Sequence, residues 1–370
     1  MQEGTRRKHE SGQRDVPVFV YSSRYDAEHP PPTRKREGRS PLTVDIHCHI
    51  ATPECQPLVR DIFTPDKEPF TRFSTPETQD LNQRMFTSVA PKLTSPEERL
   101  TDMDAMGIDI QVISPSPTQY YYWTDGELGL QLAQLQNNRV AEIVQTYPTR
   151  FAGMGTVPLQ DIDRAVQELE RCTRELGLRA IEISSNVNGI DYDDPRFAPF
   201  LTKAEELGVL LFMHPIGFTD GARLREYYLT NTIGQPLEST VAVSRMIFGG
   251  VLERHPRLKF CVAHGGGYLP YYAGRMDHAY TVRPECQRAI SRPPSSYLRQ
   301  LYYDSVIYTE TTLAALIATV GSDHVMLGTD YPFDMGERDP VGLITRTRGM
   351  TRAEKERVWG GNAAHLLGLQ

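Results

Sequence analysis

The sequence lacks the features that mark several classes of protein. No apolar run reaches the roughly 18 residues of a membrane span, and the N-terminus has no apolar signal region. The five cysteines are scattered and form no C-x-x-C pair, which disfavours a disulfide framework and a thiolate zinc site. Lysine and arginine form no basic face, and the net charge is −7, so nucleic-acid binding is disfavoured. We therefore expect a cytoplasmic protein with neither membranes nor nucleic acids as partners.

Residues 1–40 differ in composition from the rest of the chain. They contain the basic clusters Arg6–Lys8 and Arg34–Arg36 and the proline run Pro30–Pro32. Such a segment can bury little apolar surface, so we expect a mobile arm; the alternative is an arm that packs on a partner subunit. We expect residues 41–370 to form one catalytic domain.

From residue 42 onward, short apolar runs alternate with amphipathic segments. Asp161–Leu176 has apolar residues at a 3.6-residue spacing, begins with a capping aspartate and stops before Gly177, which predicts a helix; Pro195–Leu207 repeats this pattern. The predicted strands are Leu42–Cys48, Ile108–Ile113, Phe151–Thr156, Arg179–Ser184, Val209–His214, Lys259–His264, Leu301–Asp304 and Val325–Asp330. This alternation predicts an α/β protein with a closed (β/α)8 TIM barrel. The alternative, an open doubly wound sheet, lacks a G-x-G-x-x-G signature after the first strand.

Two connections between the predicted elements are unusually long. One runs from Ala51 to about Pro96, after strand one, and the other from Pro215 to about Pro236, after strand five. Both leave the carboxyl end of a strand, which is the end of a barrel that carries the active site. We expect these insertions to shape a substrate pocket.

Histidines and one aspartate recur where the predicted strands end. His47 and His49 are two residues apart on strand one, so both can face the barrel axis as a metal-binding pair. His214, His264 and Asp330 end strands five, six and eight. A histidine pair alone is a weak signal, and Asp330 could instead cap a helix. The whole set, however, predicts a catalytic metal site at the mouth of the barrel.

Several motifs resemble those of the amidohydrolase superfamily. They are H-x-H at 47–49, H-P at 214–215, A-H-G-G-G at 263–267 and L-G-T-D-Y-P-F at 327–333. Within the superfamily, N-V-N-G at 186–189 and G-G-V-L-E-R-H-P at 249–256 resemble the branch of 2-amino-3-carboxymuconate 6-semialdehyde decarboxylase-like enzymes. The motifs are specific for this branch and less specific for one reaction.

The resemblance implies a role for each of these residues. The implied metal ligands are His47, His49, His214 and Asp330. They would hold one divalent transition metal, with Zn²⁺ expected and Mn²⁺ or Fe²⁺ as alternatives, and Asp330 would also be catalytic. His264 would be the acid/base that orients a water on the metal. Arg275 would reach into a neighbouring subunit to bind a substrate carboxylate, which implies a homodimer; otherwise it forms a surface ion pair.

The fourth strand bears on the number of metal ions. Binuclear members of the superfamily often use a carboxylated lysine there, and Arg179–Ser184 contains no lysine, which favours one ion. Glu182 stands in this strand and could bridge a second ion, so a binuclear site is the alternative.

The residues expected to contact the substrate depart from the decarboxylase pattern. Thr87 stands where the carboxymuconate decarboxylase has a substrate-binding arginine, and Ile216 stands where it has a tryptophan. A different substrate is therefore expected. In the segment after strand two, Tyr122 and Trp123 are candidates for stacking on an aromatic substrate; the alternative is a packed loop.

We expect a metal-dependent, non-oxidative decarboxylase of an aromatic or unsaturated carboxylic acid. The same metal and histidine also suit a hydrolase or hydratase of a related acid, or a cyclase that forms a benzoxazole-type ring from an aminophenol ester. A non-catalytic, metal-bound scaffold is a third class, and the complete set of site residues argues against it.

Overall fold

The computed structural model describes residues 41–369. The predicted N-terminal arm, residues 1–40, lies outside the described residues. The eight strands are β1 Val44–Ile50, β2 Ile110–Pro115, β3 Phe151–Gly155, β4 Ala180–Ile183, β5 Leu210–Met213, β6 Lys259–Val262, β7 Leu301–Asp304 and β8 Val325–Met326.

Helices follow the strands on the outside. In chain order they are α1 Gln56–Val59, α2 Pro69–Arg72, α3 Pro76–Thr94, α4 Pro96–Met106, α5 Gly126–Thr146, α6 Ile162–Arg174, α7 Ala198–Leu207, α8 Gln235–Phe248, α9 Val251–Arg254, α10 Leu269–Val282, α11 Glu310–Val320, α12 Pro340–Arg346, α13 Arg352–Glu356 and α14 Asn362–Leu367. Within residues 41–369, no helix combines the length and the apolar character that a membrane crossing requires.

The strands form one parallel sheet in the order β1 to β8. Backbone hydrogen bonds then join β1 to the segment that directly follows β8, because Ile46 N–H donates to Leu327 O at 2.9 Å and His49 N–H donates to Tyr331 O at 2.8 Å. The sheet is therefore a closed cylinder, and the predicted (β/α)8 TIM barrel is confirmed.

The two predicted helices are present with slightly different bounds. The Asp161 side chain accepts a hydrogen bond from Arg164 N–H and caps α6, which ends two residues before Leu176. In the second case a 3-10 turn at Pro195–Phe197 precedes α7, and Gly208 ends the helix with a left-handed φ of 64°. Glycine adopts this conformation without the steric cost of a side chain.

Apolar side chains fill the barrel interior. The interior cluster includes Val44, Ile46, Ile110, Val112, Met154, Ala180, Leu210, Phe212, Cys261, Ala263 and Met326, and Leu366 and Leu367 of α14 pack against it. A second, larger cluster lies between the strands and the surrounding helices. Because the interior is packed with side chains, only the mouth at the carboxyl ends of the strands is open for chemistry.

Three strands that were predicted to end in site residues stop before them. Strands β5, β6 and β8 end at Met213, Val262 and Met326, so His214, His264 and Asp330 lie beyond the strands rather than in them. His264 and Asp330 have left-handed φ values of 55° and 60°. A β-strand cannot continue through this conformation, which is uncommon for residues other than glycine.

Candidate metal centre and active-site cavity

The predicted metal ligands meet at the mouth of the barrel. Each of His47, His49, His214 and Asp330 offers one ligand atom, and these atoms lie within 4.8 Å of one another. The Nε2 atoms of His47 and His49 are 3.1 Å apart, and they lie 3.3 and 3.2 Å from Oδ1 of Asp330. All four side chains are buried. Residues of β1 and of the segments that follow β5 and β8 therefore share one small space, although His49 and Asp330 are 281 positions apart along the chain.

The donor set fits a divalent transition metal. Ligand atoms at about 2.0–2.2 Å from a tetrahedral ion lie roughly 3.3 Å apart, which is close to the separations between His47, His49 and Asp330. Neither ring nitrogen of the buried His214 has a hydrogen-bond partner among the described residues. An unpartnered buried imidazole is costly unless a ligand satisfies it. Three imidazoles and one carboxylate suit Zn²⁺, Mn²⁺ or Fe²⁺.

A β-bulge aims both histidines of β1 into the mouth. The pairing with β2 slips between Asp45 and Cys48, where β1 advances three residues and β2 advances two. Ile46 therefore belongs to the interior cluster, while His47 and His49 still face the other ligands. Simple alternation would have placed Ile46 and His47 on opposite faces of the sheet.

Asp304, at the end of β7, holds His47 from behind. Its Oδ2 lies 2.5 Å from Nδ1 of His47, and its carboxylate also accepts backbone hydrogen bonds from His264 and Gly265. Burial alone would raise the pKa of Asp304, but the hydrogen bond and charge of His47 hold that pKa below its usual value. This contact fixes the tautomer that leaves Nε2 free for the metal. The sequence interpretation missed Asp304, although the residue ends a predicted strand at the same face.

His264 lies beside the ligand cluster without belonging to it. Its Nε2 is 3.5 Å from Oδ2 of Asp330, and its Nδ1 has no hydrogen-bond partner among residues 41–369. The side chain is partly exposed and lines the cavity described below. A histidine at this place can exchange a proton with a bound molecule, as expected for an acid/base.

Buried polar groups beneath the ligands tie the first insertion to the barrel. Arg99 of α4 is 1% exposed; it donates to the His49 carbonyl at 2.5 Å and to Gln111 Oε1 at 3.0 Å. Gln111 in turn donates to Asp45, which also accepts from Thr329 Oγ1 at 2.6 Å. Burial raises the pKa of Asp45 to about 6. This network connects β1, β2 and the segment after β8, and the sequence interpretation contained no sign of it.

A cavity of about 440 Å³ opens above the ligands. His214, His264 and Asp330 lie at its base, and its walls include the side chains of Phe70, Met85, Phe86, Ile216, Tyr228, Tyr268, Tyr271, Tyr308 and Phe333. Both long insertions contribute to these walls, as expected from the sequence. Among the described residues, the lining contains no lysine or arginine. The cavity therefore offers aromatic surface and leaves the charge of an acid to be met at the metal.

Tyr122 and Trp123, the candidates for stacking on an aromatic substrate, are not among the residues that line this cavity. Tyr122 is buried and stacks on Tyr120, with ring centroids 5.5 Å apart. Trp123 donates from its indole nitrogen to Glu68 at 3.2 Å and packs on Phe63. Both rings are occupied by packing within the chain, as in the alternative reading of a packed loop.

Arg275, Thr87 and Ile216 are the remaining residues that the sequence relates to substrate binding. Arg275 is exposed on α10 and does not line the cavity of its own chain, although Tyr271 on the same helix does. Thr87 is exposed on α3 and bonds to the Gln83 carbonyl, whereas Ile216 lines the cavity.

Replacing Asp304 by asparagine should weaken metal binding by about 10- to 100-fold, because the change removes the negative charge and one of the two oxygens that accept hydrogen bonds from His47, His264 and Gly265. The measurement is a competition for Mn²⁺ between the protein and a chromophoric chelator. Asp323→Asn, at an exposed position, is the matched control and should leave the affinity unchanged. Wild-type affinity in Asp304→Asn would show that the contact does not orient the ligand.

Known proteins share this architecture and sequence. The family profile described as amidohydrolase matches residues 44–369. A 2-amino-3-carboxymuconate-6-semialdehyde decarboxylase from Dictyostelium discoideum is 38% identical over 290 residues, which cover 78% of this chain and 81% of that relative.

Solved structures of decarboxylases have a fold similar to that of this chain. The 5-carboxyvanillate decarboxylase of Sphingomonas paucimobilis matches with a TM-score of 0.80 and 28% identity, over 90% of this chain and 100% of that chain. A 5-carboxyvanillate decarboxylase from Novosphingobium aromaticivorans, complexed with manganese and 4-hydroxy-3-methoxy-5-nitrobenzoic acid, matches with a TM-score of 0.78 and 25% identity, over 89% and 96% of the two chains. Because the profile spans nearly every described residue and the barrel places its ligand motifs around one point, this chain belongs to the amidohydrolase family.

Proposed function

We propose that the protein is a metal-dependent, non-oxidative decarboxylase of an aromatic or unsaturated carboxylic acid. The observation that carries this proposal is the position of His264, an acid/base candidate beside the metal ligands at the base of an aromatic-walled cavity. The decarboxylases among its relatives support the choice of reaction.

The residues divide the work by position. When bound at His47, His49, His214 and Asp330, a divalent ion supplies positive charge that orients the acid and stabilises negative charge as it develops. The aromatic walls, Phe333 and Tyr308 among them, bind the flat body of the acid and exclude water. As the bond to the carboxyl carbon breaks, CO₂ leaves and its bonding electrons stay on the substrate carbon. Nε2 of His264 delivers the proton that replaces CO₂ on the substrate carbon, and solvent then returns a proton to the imidazole of His264.

Two finer assignments follow from the family resemblance. The first is Zn²⁺ as the native ion; the manganese-bound relative makes Mn²⁺ the practical alternative for experiments. The second is a homodimer in which Arg275 of one chain binds the substrate carboxylate in the other. The absence of a lysine or arginine from the described lining supports this arrangement, because an anionic acid would otherwise meet no positive side chain. The cytoplasmic location remains a prediction.

The decarboxylase proposal predicts stoichiometric release of CO₂ from at least one hydroxylated benzoic acid or related unsaturated acid by the Mn²⁺-loaded protein. His264→Ala should retain the metal and lose about 10²- to 10⁴-fold in kcat, because only the proton donor is removed. Metal content is measured by elemental analysis and turnover by CO₂ release. His365→Ala, exposed on α14, is the control and should remain active. Addition or loss of water in the product mass would instead identify a hydratase or hydrolase.

The shared-site proposal predicts complementation between two inactive variants. Arg275→Ala and His264→Ala chains, co-expressed with different tags, should form mixed dimers in which one site has both residues. Those purified dimers should recover roughly half of the wild-type activity, because one of the two equivalent sites is intact. No recovery, or full activity of Arg275→Ala alone, would contradict the assignment.

A further inference from the structure

Glu182 is a buried carboxylate that the proposed reaction does not use. It lies on β4, is 0% exposed, and points toward the barrel mouth beneath the ligand cluster. Its Oε1 accepts a hydrogen bond from Tyr120 at 2.6 Å. Its Oε2 has no hydrogen-bond partner among residues 41–369. A buried carboxylate oxygen without a donor is costly, so this atom requires an explanation.

Oε2 of Glu182 faces Nδ1 of His49, the ring nitrogen that points away from the proposed metal ion. Nδ1 of His49 lies 3.5 Å from Oε2 of Glu182, about 0.5 Å longer than a normal N–H···O bond. The other ring nitrogen of His49, Nε2, faces His47 and Asp330. A neutral imidazole that binds a metal through Nε2 carries its proton on Nδ1 and needs an acceptor for it.

Ser114 competes on both sides, because its hydroxyl is an alternative acceptor for His49 and also lies within reach of the Glu182 carboxylate. Its Oγ lies 3.2 Å from Nδ1 of His49 and donates its one proton to the Cys48 carbonyl at 3.0 Å. In that arrangement Ser114 has no proton left for Glu182. The Nδ1 proton of His49 is then the donor available to Oε2.

The same centre contains a precedent for this arrangement. Asp304 contacts Nδ1 of His47 from β7, just as Glu182 faces Nδ1 of His49 from β4. The two histidines of β1 are thus flanked by carboxylates on opposite sides. Within the described part of the chain, His214 has no such support.

We infer that Glu182 is a positioning residue, which accepts the Nδ1 proton of His49 and holds Nε2 of that ring toward the metal. This inference rests on the proposed metal centre and is independent of the reaction. It differs from the alternative of a second, bridged ion, because Glu182 stands behind the ring and does not belong to the group of converging ligand atoms. Tyr120 fixes the other end of the carboxylate.

The test compares Mn²⁺ affinity in Glu182→Gln, Ser114→Ala and the wild type. Glutamine keeps the shape and removes the charge, so Glu182→Gln should weaken Mn²⁺ binding by about 10- to 100-fold, whereas Ser114→Ala should change it by no more than about 3-fold. Competition with a chelator gives the affinities, and the visible spectrum of the Co²⁺-loaded protein reports a changed ligand geometry. If decarboxylation fails in every variant but this order of affinities holds, the reaction is wrong and the positioning role stands.

A matched control separates positioning from stability. Glu168 is also buried, but it binds Arg171 and Asn137 outside the metal centre. Glu168→Gln should lower the unfolding midpoint of the metal-free protein and leave its Mn²⁺ affinity unchanged.

Tyr120→Phe is a second variant, to be used if Glu182→Gln does not fold. It removes the hydrogen bond that holds the Glu182 carboxylate, so it should weaken Mn²⁺ binding, but less than Glu182→Gln. Wild-type affinity in Glu182→Gln, or two Mn²⁺ ions per wild-type chain and one in the variant, would overturn the inference.

Discussion

Closure of the barrel between β1 and β8 is the constraint on which the active centre depends. Asp330 N–H donates to the His47 carbonyl at 2.8 Å, so the last ligand in the chain is fixed to the first by a backbone hydrogen bond. This bond and the bulge in β1 set the separation of the ligand atoms before any ion arrives. The left-handed backbone at Asp330 is tolerated because the surrounding hydrogen bonds hold it in place.

The centre concentrates like charges in a space that excludes water. Asp304, Glu182 and Asp330 surround the ligand imidazoles, and Asp45 lies one layer below with Arg99. Ionised carboxylates buried around the same imidazoles repel one another unless positive charge compensates them. A divalent cation supplies that charge, so metal binding and the stability of the barrel mouth are thermodynamically linked. The outer carboxylates then act on the reaction through the orientation and basicity of the histidines.

The cavity above the centre explains how the chain can differ from its relatives in substrate. Part of its walls comes from the insertions after β1 and β5, and such connecting segments tolerate variation more readily than the strands that carry the ligands. Thr87 is not among the residues that line the cavity, whereas Ile216 lines it with an apolar side chain. The described lining therefore offers aromatic surface to an acid, and positive charge would have to come from the proposed metal ion or from the proposed contact with Arg275 of a second chain.

Periodicity and motif spacing were sufficient to predict the barrel, the insertions and the ligand set, because strand ends at one face of a closed sheet must meet. They could not predict that His264 and Asp330 lie beyond the strands in left-handed backbone, since that conformation depends on tertiary hydrogen bonds. The packing of Tyr122 and Trp123 within the chain could not be predicted, because an aromatic run does not reveal which side it packs on. Asp304 and Arg99 were missed because a single charged residue is ambiguous until its partner, distant in sequence, is known.

The central claim is that one cation is held where His47, His49, His214 and Asp330 converge. Anomalous diffraction at the manganese edge, from crystals of the Mn²⁺-loaded protein, tests it most directly. We expect one anomalous peak per chain, surrounded by the three imidazoles and the carboxylate. A peak at another place, or none in protein that is otherwise correctly folded, would contradict it.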